Sequence, residues 1–575
     1  MIKMSTVAEW VAKTCQEIGV SRVFLYPGGT IAPLVNACIK YGIEIEVFKN
    51  EQGAGYAALA SARITSKPQV VMVTSGPGVT NLVTPIADAY YDSTPLVVFT
   101  GQIGTADLSS RQAVRQRGFQ EVPTVALTQP ITKRSTCMMS VEDVVREVPL
   151  AFQIARMGRQ GPVVIDFPMD IQRQEFDDSA LRELTAAISV CEPEKLDQKH
   201  LNEVATIASV AKRPVVLLGQ GALNAQAFSD YAEIANVIDA RVVTSFLGTG
   251  CFDTSDPRWL GYVGHTGHLA ANRAVFESDF LLVLGSRLDV RQTGTVVDKF
   301  VPRGKIAWVD IDSSELENPR VQTTWRFQSE VAAFCSTFLK ELEKRSSPAD
   351  IGWINSLATL KRQNHEDPPR RACEYIQPRP LLHALARLVE NKPTTVVTGV
   401  GCHQHWTARH LPFHPEHCRL LTSGGHGTMG YDLPSAIGAA IAQPERRVLC
   451  AVGDGSFLMN IQEMAALSER SLDVKILVFN NRRLGIVSQF QLITWGGDPT
   501  TGEFGVPDLV TISRGFGVPA EQLERPADID EKLEWLWGQR GPALLNVMID
   551  PEADIVPMLL GGQTMGEMWM GREIS

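Results

Sequence analysis

Two short runs in the last third of the chain end in oxygen-bearing side chains of the kind a hard cation takes. Gly453-Asp454-Gly455 closes the apolar run "RVLCAVGDGS", and Asn480-Asn481 closes "VKILVFNN". The stretch from Ser456 to Phe479 has room for one helix, expected from about Asn460, and one strand. Two adjacent parallel strands would then present Asp454 and Asn481 side by side at one sheet edge. A carboxylate and an amide oxygen beside glycine backbone make a site for Mg²⁺ that leaves room for phosphate oxygens. Gly-Asp-Gly alone marks only a turn; the Asn-Asn at this spacing makes the pair specific.

Another carboxylate stands much earlier. In "IEIEVFKNEQGAGYAALA" (43–60) a strand-like run passes through Asn50 into a helix of small apolar residues, with Glu51 at the junction. Asn50 is a good N-cap, and a Glu in the first turn suits the helix dipole. On local grounds that is reason enough for it.

These groups need strands to carry them. Runs such as "RVFLYPGG", "VVMVTSGPG", "RPVVLLGQGA", "DFLLVLGSR", "TTVVTGVG" and "ALLNVMID" alternate with helical stretches almost throughout. Near-continuous apolar strands ending in glycine predict parallel sheets buried on both faces. The expected fold class is therefore α/β, with three doubly wound domains whose ligands sit beyond the carboxyl ends of the strands. Polar, strand-poor stretches at 170–198 and 344–380 divide the chain. The expected units are residues 1–180, 190–345 and 372–550. A tail at 551–575 mixes glycine with apolar residues and should pack rather than hang free.

Composition narrows the class. The 575 residues are 44% hydrophobic and 21% charged, ordinary for a globular protein. A net charge of −10 argues against nucleic-acid or anionic-membrane partners. No apolar run reaches the roughly 20 residues that span a bilayer, and the first residues read as an amphipathic helix, not a signal peptide. Ten scattered Cys without a C-x-x-C pair fit a reducing, cytoplasmic setting.

The Gly-Asp-Gly to Asn-Asn pattern resembles the diphosphate–magnesium motif of thiamine-diphosphate (ThDP) enzymes. The resemblance extends over nearly the whole chain to the acetolactate-synthase branch, through "YPGG" (26–29), "NEQGAGYAA" (50–58), "TSGPGVTNL" (74–82), "FQEVP" (119–123), "VGCHQHW" (400–406), "LTSGGHGTMGYDLPSAIGAA" (421–440) and "NNRRLGIVSQF" (480–490). It implies a pyrimidine-binding, a central and a diphosphate-binding domain. It also implies a homodimer or homotetramer, with each cofactor between the first domain of one subunit and the third of another. Asp454, Asn481 and the backbone carbonyl of Arg483 match the Mg²⁺ ligands. Gly401, His403, Gly453, Gly455 and Ser456 match the diphosphate cradle, though the family commonly has Gln where Cys402 stands. Gly427 matches a carbonyl facing the cofactor's amino group, and Met429 the bulky residue beneath its bend. Glu51 matches the carboxyl that shares a proton with the pyrimidine ring; Gly29, Phe119 and Gln120 match residues near the reacting carbon.

The same resemblance implies FAD, structural in the synthases. The matching positions are Gly219, Gly221, Ser245, Phe246, Leu247, Gly264, His265, Gly267, Gly285, Arg287, Asp289, Asp310 and Ile311. None forms a clean G-x-G-x-x-G. The reaction implied is decarboxylation of pyruvate and transfer of a two-carbon unit to a carbonyl acceptor. Arg291 matches the group that holds the acceptor's carboxylate. Phe490 replaces the Trp that favours 2-ketobutyrate. The segment 103–118 is longer than in synthases and carries Arg111, Arg115 and Arg117, guanidinium groups suited to phosphate. Lys195 is a poor match to the synthases' active-site lysine. Through "YPGGTIAPL" and "KNEQGAGYAALA" the chain is also similar to carbohydrate-branching homologues from surface-polysaccharide clusters, and with these departures the favoured acceptor is the ketone of a nucleotide-linked deoxysugar. A second 2-keto acid, as in acetolactate synthase, is the alternative; a pyruvate-oxidising flavoenzyme is another.

Overall fold

The computed structural model describes residues 4–108, 114–177, 196–342, 348–363, 374–390, 392–497, 502–503 and 505–571. The first domain holds strands β1 (Met4–Thr6), β2 (Arg22–Leu25), β3 (Glu44–Val47), β4 (Gln69–Val73), β5 (Leu96–Gln102), β6 (Arg134–Cys137), β7 (Pro162–Pro168) and β8 (Glu175–Asp177). The second holds β9 (Pro214–Leu218), β10 (Arg241–Thr244), β11 (Trp259–Tyr262), β12 (Phe280–Leu284), β13 (Lys305–Asp310) and β14 (Trp325–Gln328). The third holds β15 (Thr394–Thr398), β16 (Cys418–Thr422), β17 (Arg447–Gly453), β18 (Val474–Asn480), β19 (Ala520–Leu523) and β20 (Ala543–Met548).

Each domain is built on a six-stranded sheet whose neighbouring strands are all parallel, as the apolar runs predict. β9, β12, β15 and β18 are buried along their whole length because helices cover both faces. The first and third sheets share one order, β3-β2-β4-β5-β7-β6 and β16-β15-β17-β18-β20-β19. The second runs β11-β10-β9-β12-β13-β14, the winding of dinucleotide-binding folds. The strand order reverses between β2 and β4, between β9 and β12, and between β15 and β17; the first and third sheets turn back again at their β6 and β19 edges. Ligands of doubly wound sheets sit at such switch points.

Seven helices matter for the sites: α1 (Glu51–Thr65), α2 (Pro77–Tyr91), α3 (Cys402–His410), α4 (Asp432–Ala442), α5 (Asp454–Met459), α6 (Glu463–Arg470) and α7 (Gly485–Trp495). The small residues of α1 let it meet α4 backbone to backbone; a methyl group on Gly438 would lie 2.1 Å from the Ala57 carbonyl oxygen. The two helices join the first and third domains in one apolar core. The helix after β17 begins at Asp454 itself, not near Asn460, where the chain instead breaks between α5 and α6. The segment after 550 packs: Ile555, Met558, Leu559 and Met565 are buried, and Gln489 exchanges hydrogen bonds of 2.9 Å with both backbone groups of Ile555. No described helix is long and apolar enough to cross a membrane.

Candidate active site

At the third sheet's switch point, Gly453 pairs in register with Phe479, so the chain leaves β17 and β18 side by side. Asp454 and Asn481 follow, and both line one small cavity of about 60 Å³. Gly401, His403, Met429, Gly453, Gly455, Ser456 and Arg483 line it with them. Asp454 accepts the N–H groups of Gly455 and Arg482, each at 2.7 Å, and the Asn481 amide oxygen accepts the Arg483 N–H at 3.1 Å. Arg482 takes φ +55°, a left-handed conformation that folds the strand end back over the carboxylate. Burial pushes the Asp454 carboxyl up to about 6, against the pull of those N–H groups. A methyl group on Gly401 or Gly453 would lie 2.8 Å from the His403 ring, so both must be glycine for the imidazole to reach this wall. One desolvated carboxylate and one amide oxygen, beside the backbone of Arg483, form a hard-oxygen set with too few charges for a protein-only cage. The residues fit a Mg²⁺ ion that also takes phosphate oxygens.

Gly427 does not line this cavity. It takes φ +76°, with its N–H on the Ser423 hydroxyl at 3.1 Å.

Glu51 is buried at the start of α1. Asn50 caps the helix, its side chain accepting the Gln52 N–H at 2.8 Å, so the capping account stands as far as it goes. The Glu51 carboxylate goes elsewhere, accepting the Asn81 amide at 3.0 Å beside the Gly76–Gly78 turn after β4. Gln120, at φ +64°, closes on the same turn: a methyl group on Gly76 would lie 2.9 Å from its Cβ. Gly29 opens the turn after β2, where the Thr30 and Thr74 hydroxyls meet at 2.8 Å across the first sheet's switch point. Phe119 projects from the surface, 87% exposed. Thus Glu51, Gly29 and Gln120 gather at one switch point and Asp454, Asn481 and Met429 at another. Within one chain no residue of the first group lines the second group's cavity.

The middle sheet's switch point opens on a cavity of about 440 Å³. Gly221, Ser245, Phe246, Leu247, His265, Gly285, Arg287, Asp289, Asp310 and Ile311 all line it. Gly219 stands just behind, where a methyl group would strike the Gly285 carbonyl; Gly264 and Gly267 are joined by a 2.9 Å hydrogen bond that shapes the loop carrying His265. Burial pushes the Asp310 carboxyl up to about 6. At the far end Phe246, Tyr262 and His405 form an aromatic wall, with Phe246 5.1 Å from Tyr262 and 5.2 Å from His405 between ring centroids. The Nε2 atoms of His265 and His405 are buried with no hydrogen-bond partner among the described residues. Burial first, and then the Arg291 charge, holds both imidazoles below the usual histidine range. Such a cavity suits an occupant with an apolar ring face and polar edges.

Family models described as the N-terminal TPP binding domain, the central domain and the C-terminal TPP binding domain of thiamine pyrophosphate enzymes match residues 5–127, 201–341 and 399–547. The chain is 36% identical over 572 residues to the acetolactate synthase isozyme 1 large subunit of Escherichia coli (strain K12), covering 98% of each chain. The chain belongs to the thiamine pyrophosphate enzyme family. Within that family it is also 34% identical to the acetolactate synthase large subunit of Lactococcus lactis subsp. lactis (strain IL1403), over 98% of this chain and 96% of that one. To the chloroplastic acetolactate synthase of Arabidopsis thaliana it is 34% identical, over 98% and 84% of the two chains.

In this thiamine pyrophosphate enzyme the residues expected around a second substrate fall on two sides. Arg291 and Phe490 both meet His265: its N–H donates to the Arg291 carbonyl at 2.7 Å, and the Phe490 ring stacks on it at 5.5 Å and 10°. Arg115 and Arg117 are exposed and line neither cavity; Arg111 and Lys195 lie outside the described residues. Sequence reading missed Asp432. Fully buried at the head of α4, it accepts the Gly399 N–H and the Ser456 hydroxyl and stands 3.4 Å from His403 Nε2. It also missed Asn81 and His405. An acid inside the otherwise apolar "YDLPSAIGAA" was the available signal for Asp432.

Proposed function

We propose that the enzyme decarboxylates pyruvate and adds the two-carbon unit to a second 2-keto acid, the acetolactate synthase reaction. The observation carrying this is the 36% identity to an acetolactate synthase over 98% of both chains. The sequence-based preference for a sugar ketone is reversed. It rested in part on the arginines of segment 103–118, and the two that are described stand clear of both cavities. The three relatives compared above are acetolactate synthases.

Thiamine diphosphate, when bound, supplies the sink for the electron pair released as pyruvate loses CO₂. Asp454, Asn481 and the Arg483 carbonyl would hold Mg²⁺ and, through it, the diphosphate. Asp432 orients this wall by holding Ser456 and His403 from behind. Met429 would support the cofactor from the apolar side of the cavity, and Gly427 would offer it a backbone carbonyl. Glu51, buried and fixed by Asn81, holds and exchanges a proton at the pyrimidine nitrogen. Because Glu51 does not line the cavity that holds Asp454 within one chain, two copies would complete each site, and the working form is a homodimer or homotetramer. The 440 Å³ cavity would hold FAD, with the unpartnered His265 and His405 nitrogens available to its polar edges. Arg291, on the wall between that cavity and Phe490, holds the acceptor carboxylate.

The test supplies the holoenzyme with pyruvate alone, or with pyruvate plus a CDP-linked 4-keto-deoxysugar, and identifies the carbon–carbon product. Acetolactate from pyruvate alone is the expected result. A product formed only with the sugar would restore the other acceptor, and stoichiometric bleaching of flavin by anaerobic pyruvate would indicate the oxidase instead.

A further inference from the structure

Glu463 opens α6 in the third domain, yet its carboxylate is fully buried against the first. Both of its oxygens lie 3.2 Å from the Lys49 N–H, and the Asn50 N–H also points at them. These are the backbone donors at the head of α1, the helix that begins with Glu51. Gly53 makes the approach possible: a methyl group there would lie 2.2 Å from Glu463 Oε1. Neighbouring contacts grip the same junction. The Asn460 amide donates to Gln52 at 3.0 Å and to the Gly430 carbonyl, beside Met429, at 2.7 Å. Arg470 donates to the Val47 carbonyl at 2.9 Å.

We propose that Glu463 is the positioning residue that fixes the Glu51 end of α1, through the segment that begins at Asp454. The proposal rests on the reading of Glu51 as the proton-exchanging carboxyl. A carboxylate at a helix head both satisfies orphan N–H groups and favours the dipole. Here it comes from a different domain, so the domain that carries Asp454 sets the place of the carboxyl that serves the other site. The same segment therefore ties the metal end of one site to the carboxyl end of the next. Burial pushes the Glu463 carboxyl up to about 7, consistent with a group withdrawn from water for its contacts.

The experiment measures kcat, KM for pyruvate, the pH dependence of kcat and ThDP affinity of the full-length enzyme with Mg²⁺. The variants are Glu463→Ala, Glu463→Gln, Gly53→Ala and Glu51→Gln. A misplaced proton-exchanging group lowers kcat by about 10- to 100-fold. Glu463→Ala is expected to show that loss, with a displaced pH profile, while KM and ThDP affinity stay within about threefold of the parent. Glu463→Gln keeps an acceptor for the Lys49 N–H and should recover most of the rate. Gly53→Ala pushes the carboxylate off its donors and should reproduce the loss, which keeps the proposal testable if Glu463→Ala does not fold. A folded Glu463→Ala or Gly53→Ala enzyme with kcat within about twofold of the parent would overturn the proposal, as would loss of ThDP affinity in step with kcat. If Glu51→Gln itself keeps full turnover, the reading beneath falls, and the proposal with it. An inactive Glu51→Gln beside an active Glu463→Ala removes the proposal alone.

Discussion

The carboxylate of Asp92, in the first domain, accepts the backbone N–H of Gly425, in the third, at 2.6 Å, and that of Gly424 at 3.0 Å. From the middle domain Gln220 reaches the Asp92 carbonyl at 2.6 Å. Three domains thus meet at one residue. The loop it holds lines the 440 Å³ cavity at Gly424 and Gly425 and runs on to Met429 at the smaller one. Hydrogen bonds to a charged group contribute about 1.5–3 kcal/mol each, and leaving buried donors unmatched adds to the loss. Asp92→Ala should therefore lower stability by about 3 kcal/mol or more in urea unfolding. On the proposed reading of that cavity it should also weaken the binding of added FAD. A change below about 1 kcal/mol would show that the contact is dispensable.

One turn away, Asp88 is fully buried, with neither carboxyl oxygen in a well-formed hydrogen bond; the Ser423 and Thr428 hydroxyls lie nearest. Burial, and then the Asp92 charge, holds its pKa far above the usual carboxylate range. The sign follows from linkage: the folded state binds this proton more tightly than the unfolded one, whose pKa is about 3.9. Stability is therefore fully present below that value and is lost as pH rises through the raised folded value. Asp88→Asn mimics the protonated acid. Its melting temperature should match the parent's near pH 4 and exceed it at pH 8, by ~2–4 °C for each kcal/mol in a domain-sized unit. An equal offset at both pH values would mean the carboxyl is not held protonated.

If one site needs Glu51 of one copy and Asp454 of another, crippled chains should complement each other. Glu51→Gln and Asp454→Ala homo-oligomers are expected to be inactive. Random mixing in a twofold assembly leaves one intact site in each mixed dimer, so roughly a quarter of parental activity should return. No recovery after verified subunit exchange would place both residues in the same chain's site.

Phe490 stacks on His265 with its ring 37% exposed. Phe490→Trp enlarges that wall and, by the family resemblance, should raise preference for 2-ketobutyrate over pyruvate as acceptor. One methylene in an apolar pocket is worth about 10-fold. Competition between the two acceptors, with both products quantified, measures it; an unchanged ratio would remove Phe490 from the acceptor site.

The chain's own letters carried the strand ends better than their partners. Asp454 and Asn481 were readable because an apolar strand must stop somewhere, and both stop on glycine or asparagine with an oxygen to offer. Glu51 was visible as a junction residue, but its exchange role needed the distant cofactor motifs. Glu463, Asp92 and Asp432 were illegible for a common reason. Each is an acid whose partners include backbone N–H groups far away in sequence, and backbone donors leave no trace in residue identity. The start of α5 was misplaced because glycines around Asp454 read as loop, whereas Asp454 itself opens the helix. Arg115 and Arg117 lie on the surface in the fold, a placement that charge and spacing do not encode, so they lend the sugar-ketone acceptor no support.

The central claim is that Glu51 works on a bound cofactor in the decarboxylation of pyruvate. The most direct test measures CO₂ release from pyruvate by Glu51→Gln beside its affinity for ThDP in the presence of Mg²⁺. Release is predicted to fall by at least about 100-fold, within the range usual for loss of a general acid–base group, while ThDP still binds. Undiminished CO₂ release from a cofactor-saturated Glu51→Gln enzyme would contradict it.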